Sequence, residues 1–284
     1  MQEDKPQTNP LALSTGFVNV DGGQLYYEVA GKGHPLVLFQ GTNLLDQRIW
    51  DHQFTTFAHS HRVVRYDVRG FGKSPNSTGP YTHADDLAHL FQALKIEKSY
   101  LLDLGGSSLL DFVHKYAPSV DALILASPEI SSAQSSAQAI DELPRVLERY
   151  ASMVEALRQN DMQRAIDEVM RMLSLSSSPS LETYQHVRTI VADNLPALLN
   201  PPLPPTVDIK AFDTRHQWLK EMQIPTLLLV GEHARSEVQA SVQALGEIIP
   251  GSQSYTIAQA HFLLNVEQPE EFNRTVLSFL QALP

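Results

Sequence analysis

Apolar residues along this chain fall into two alternating patterns, short runs and helical periods. Val18-Asn-Val-Asp-Gly-Gly-Gln-Leu-Tyr-Tyr-Glu-Val29 places apolar side chains at every second position around an Asp-Gly-Gly triplet, which predicts a β-hairpin with a turn able to take positive φ. Pro35-Leu-Val-Leu-Phe-Gln40 is continuously apolar, the pattern of a strand buried on both faces. Residues 50–58 have helical spacing, and residues 61–67 read as a strand. Residues 81–94 form an apolar-periodic helix opened by the capping pattern Thr82-His-Ala-Asp85. Strands at 100–104 and 122–126 enclose a helix over 107–116. The alternation resumes with strands at 226–230 and 252–257 and helices at 238–249 and 270–283. Alternation of this kind predicts an α/β fold, a mostly parallel sheet covered by helices on both faces.

Between 131 and 212 the strand-like runs stop. Ser and Gln are frequent, and helical periods mark 140–157, 162–173 and 181–191, which predicts a helical cap inserted into a core made of residues 15–130 and 213–284. Pro201-Pro-Leu-Pro-Pro205 reads as a stiff extended return to the core. Residues 1–14 are polar and proline-containing, with no apolar signal core, and read as a loose tail.

Composition narrows the partners. A formal charge of −11, from 21 basic and 32 acidic residues without a basic cluster, argues against nucleic acid or an anionic membrane surface and favours a small neutral ligand. The longest apolar runs fall far below the ~18 residues of a membrane span. The absence of cysteine removes disulfides, thiolate metal sites and a cysteine nucleophile together. The expectation is a cytoplasmic protein, with export by a removed signal peptide as the alternative, monomer or homodimer, without cofactor or metal.

Four motifs stand in order at predicted strand ends: Gln40-Gly-Thr-Asn43, Asp67-Val-Arg-Gly-Phe-Gly-Lys-Ser74, Pro225-Thr-Leu-Leu-Leu-Val-Gly231, and His261-Phe-Leu-Leu-Asn-Val-Glu-Gln-Pro-Glu-Glu-Phe-Asn273. Together they resemble the α/β-hydrolase fold family, and most of all its small lactonase- and esterase-type members. The resemblance implies that His261 is the general base and that Thr42 contributes a backbone N–H to an oxyanion hole. It places Gly41 and Asn43 at the substrate pocket. Gln40 stands where many members carry histidine. Arg69-Gly-Phe-Gly72 reads as structural, a tight turn with a solvated or packing arginine. Where members carry the aspartate that orients the histidine, this chain has Ala234; Glu129 is a weak substitute, and Glu232 a weaker one.

The nucleophile bend, Leu102-Asp-Leu-Gly-Gly-Ser-Ser108, admits three registers. Matching the downstream helix puts Asp103 at the nucleophile, with Leu104 N–H as second oxyanion donor. Matching the upstream spacing puts Gly105 there and leaves no nucleophile. The third makes Ser107 the nucleophile in a Gly-Gly-Ser arrangement. An aspartate nucleophile would imply attack on a saturated carbon, as in epoxide hydrolases, with hydroxyls such as Tyr150 and Tyr184 from the cap assisting ring opening. Leu104, lacking an N–H side chain, disfavours haloalkane dehalogenation. Two functions follow: a hydrolase of a small, largely apolar neutral epoxide, ester or lactone working through a covalent intermediate that His261-activated water resolves, or a catalytically degenerate member that binds a small ligand.

Overall fold

The apolar runs form the middle of an eight-stranded sheet, in a computed structural model that describes residues 12–41, 44–105, 108–129, 148, 150–173, 175, 180–199 and 217–283. Its strands are β1 (Ser14–Val20), β2 (Gly23–Ala30), β3 (Pro35–Gln40), β4 (Arg62–Tyr66), β5 (Ser99–Leu104), β6 (Val120–Ala126), β7 (Thr226–Gly231) and β8 (Gln253–Ile257). The spatial order is β1-β2-β4-β3-β5-β6-β7-β8. β1–β2 and β2–β4 pair antiparallel; every other neighbouring pair is parallel. The runs read as doubly buried are central strands, with Leu36, Leu38, Leu123, Leu125 and Leu228 all sealed from solvent, while edge strand β8 is exposed at four of its five positions.

Helices cover both faces. On one face α2 (His83–Leu94) packs against α3 (Ser108–Tyr116); on the other, α1 (Asp51–Phe57) packs against the one-turn α7 (Leu264–Glu267) and α8 (Pro269–Gln281). Strand alternation separates the faces at β4: the Arg65 guanidinium lies over the Phe54 ring of α1, whereas Tyr66 turns to Phe39, whose ring also meets His83 of α2. Thr82 caps α2 as its sequence predicts, accepting from the Asp85 N–H at 3.0 Å. The helix predicted over 270–283 is preceded by a separate turn, α7, and begins at Pro269, which has no N–H to lose in a first helical turn. The helix α6 (Ser236–Ile248) joins β7 to β8.

Between β6 and β7, residues 150–158 are helical, and α4 (Met162–Met172) packs on α5 (Leu181–Asn194). Half of the predicted 140–157 helix, the Pro201–Pro205 stretch and both ends of the predicted insertion lie outside the described residues. The α5 end is tied to the core by polar bonds: Gly72 N–H donates to Asn194 Oδ1 at 2.7 Å, Asn194 Nδ2 donates to Asp46 Oδ2 at 2.7 Å, and Arg48 bridges Asp46 (2.6 Å) and Asp193 (2.7 Å). Among the described residues, no helix is long and apolar enough to cross a membrane.

Candidate active site

Four hydrogen bonds run along the carboxyl edge of the sheet, the side on which open α/β sheets hold ligands. Gly41 N–H donates to Leu104 O (3.0 Å), Gly105 N–H to Ala126 O (2.9 Å), and Ser127 N–H to Leu229 O (2.8 Å). The Ser127 hydroxyl donates to Phe262 O at 2.8 Å, bringing the loop after β8 to the ends of β5 and β6. Ser127 holds φ at 48°, a left-handed conformation that a serine adopts at a cost. Gly231 allows the same loop to approach β7, since a Cβ there would sit 2.2 Å from His261 O.

The chain turns out of β5 at Gly105. Leu104 is the last strand residue, paired with Gln40 on one side and Ala126 on the other, and Gly105 follows with φ +80°. A nucleophile elbow of this fold is a strained strand-to-helix turn, and the residue on this one is glycine, which takes positive φ without a Cβ clash and offers no nucleophilic atom. Gly105 is the residue that the upstream register puts at the bend. Leu104, expected as the donor following the nucleophile, lies instead inside the ladder one residue before the turn. Ser107, like Thr42 and Asn43, lies outside the described residues.

Asp103 sits inside β5, opposite Phe39 and Leu125, and is 1 % exposed. Register partners in a parallel sheet share a face, so its side chain shares that of Phe39 and Tyr66, under α2. Its charge acts on the Tyr66 hydroxyl, which burial first, then Asp86 and Asp103, holds well above its ordinary pKa.

His261 stands in the loop between β8 and α7, with its side chain 24 % exposed. One carboxylate oxygen, Glu267 Oε2, lies 3.2 Å from His261 Nδ1 and accepts the His261 backbone N–H at 3.2 Å. The Glu267 side chain is 2 % exposed. Sequence reasoning missed this residue; its only signal is a carboxylate six positions past the histidine, at the end of a single helical turn closed by Pro269. Glu129, proposed for the contact, ion-pairs with Arg235. Glu232 accepts the Gln259 N–H at 2.9 Å and so closes the loop ahead of the histidine, while Ala234 is buried with nothing to offer an imidazole. The His233 ring lies 5.4 Å from that of His261.

Of the two tyrosines expected to assist ring opening, Tyr150 is 53 % exposed, whereas Tyr184 is half-buried on α5 against the core. Gln40 is buried, its amide donating to Leu45 O at 3.0 Å, which holds the loop that leaves β3. No group of three His, Asp or Glu side chains among the described residues is placed to hold a metal ion.

The Asp67 turn supports the edge from beside it. Its carboxylate accepts the N–H groups of Gln47 and Lys73, both at 2.9 Å, and burial pushes its pKa up to about 6. A carboxyl whose folded pKa is raised favours the protonated folded state, so its contribution to stability is full below the usual carboxylate range and is lost as pH rises through about 6. Denaturant titrations are expected to show the stability of wild type relative to Asp67→Asn falling by on the order of 2–3 kcal/mol between pH 4 and 7. A difference that stays flat with pH would contradict this.

Residues 35–269 match the family model of the alpha/beta hydrolase fold, and the chain belongs to that family. It is 26 % identical to carboxylesterase YbfK of Bacillus subtilis, over 95 % of this chain and 89 % of that one. It is also 26 % identical to mouse epoxide hydrolase 3, over 96 % and 78 %. The crystal structure of the enol-lactonase from Burkholderia xenovorans LB400 superposes with a TM-score of 0.71 at 21 % identity, covering 94 % of this chain and all of that one.

Proposed function

We propose that the protein is a hydrolase of a small, largely apolar neutral substrate, an ester, lactone or epoxide, in which His261 activates a water molecule that attacks the substrate directly. The observation that carries this reading is an imidazole held by a buried carboxylate, and Gly105 with a left-handed φ just past β5 supports it. The names of the relatives, a carboxylesterase, an epoxide hydrolase and a lactonase, support the substrate range.

With Nδ1 engaged by Glu267, Nε2 is the nitrogen that takes a proton from water as the water oxygen bonds to the acyl carbon. The backbone N–H of Thr42 steadies the oxyanion. When the tetrahedral intermediate collapses, the acyl C–O bond breaks and the departing alkoxide takes the proton from His261. In an epoxide the same water attacks a ring carbon, and a cap hydroxyl such as Tyr184 protonates the opening oxygen. A covalent route through Asp103 would need that carboxylate to reach the substrate from inside β5, beneath α2.

A second reading, a ligand-binding protein without hydrolysis, is favoured by Gly105 at the elbow and Ala234 at the usual acid position. A panel of p-nitrophenyl esters, lactones and epoxides separates the two. Saturable hydrolysis above the buffer rate supports the enzyme. Background rates together with a raised melting temperature on adding one of the compounds would leave binding alone.

A further inference from the structure

The missing aspartate leaves open how a base at His261 is held in one tautomer, and the fold supplies a carboxylate from another direction. We propose that Glu267 is the positioning residue for His261, keeping the proton on Nδ1 so that Nε2 is the basic nitrogen; its kinetic consequence rests on the hydrolase reading above. Glu267 Oε2 fixes the residue at two points, the Nδ1 side of the ring and the backbone N–H, each at 3.2 Å. An imidazole whose Nδ1–H meets a carboxylate keeps its orientation, and that carboxylate also stabilises the imidazolium formed when Nε2 takes a proton.

The turn that carries Glu267 is itself anchored. Asn265, fully buried, donates to Ile49 O at 2.8 Å and to Gln53 Oε1 at 3.2 Å, while Gln53 donates to Asn265 O and Asn273 Oδ1, both at 2.9 Å. α7 is thereby bound to α1 and α8. From the ring's other surroundings, Ser127 holds the carbonyl of Phe262, and His233 is the second titratable ring nearby. The carboxylates of Glu129 and Glu232 are engaged elsewhere, by Arg235 and by the Gln259 N–H.

The test is imidazole nitrogen NMR on the full chain, together with kinetics of Glu267→Gln. In wild type, neutral His261 should carry its proton on Nδ1, with a low-field Nδ1–H resonance. In Glu267→Gln, where a neutral amide can still accept the backbone N–H, that resonance should move upfield, and kcat should fall by about 10- to 10²-fold with KM little changed. A fall in stability with unaltered kcat, or a wild-type proton on Nε2, would overturn the proposal. The wild-type spectrum decides the matter by itself if the variant does not fold. A spectrum that behaves as expected in a protein that hydrolyses nothing would uphold Glu267 and sink the hydrolase reading.

Discussion

Replacing His261 with alanine is expected to lower kcat by about 10³-fold on whichever panel compound wild type turns over, and to leave the melting temperature nearly unchanged. General-base catalysis contributes roughly 10²–10⁴-fold. The structural cost should be small, because the ring is partly exposed and Glu267 keeps the backbone N–H of residue 261 as a partner. Steady-state kinetics and a thermal melt of the two proteins check both parts. Equal rates would remove His261 from the chemistry.

The largest stability effect is expected at Arg69. Its guanidinium, 1 % exposed, makes a two-pronged pair with Asp86 at 2.5 and 2.8 Å, donates to Asp21 O at 2.7 Å and to Ser77 Oγ at 3.0 Å, and lies over the Tyr81 ring. Removing one member of a buried ion pair strands the other. Arg69→Leu should therefore cost about 3–5 kcal/mol, which lowers the melting temperature of a chain this size by roughly 10 °C. The paired variant Arg69→Leu with Asp86→Leu should recover part of that loss, since two apolar side chains leave no uncompensated charge. Recovery of nothing would point to the Asp21 and Ser77 bonds as the main contribution.

Much of the frame was legible because it depends on local pattern. Continuous apolar runs gave β3, β6 and β7, and the Thr82 cap fixed the start of α2. His261 was marked by the loop it occupies. What the sequence left open depends on pairings between distant segments. The bend admits three registers on paper; the ladder of β5 with β3 and β6 holds the strand through Leu104 and keeps Asp103 inside the sheet, while Ser107 lies outside the described residues. Glu267 was invisible as a partner because its position depends on Asn265, whose anchor Ile49 lies 216 residues earlier. Arg69 reads from the sequence as a solvated or packing residue, and only the tertiary placement of Asp86 makes it buried and paired rather than solvated.

The central claim is that water attacks the substrate directly, and a single turnover in ¹⁸O-labelled water, with enzyme in excess over an ester or epoxide substrate, tests it most directly. Direct attack predicts that the first-turnover product carries one oxygen from the solvent. A first-turnover product that takes its new oxygen from the protein, with the label entering the Asp103 carboxylate, would contradict it and establish a covalent intermediate on Asp103.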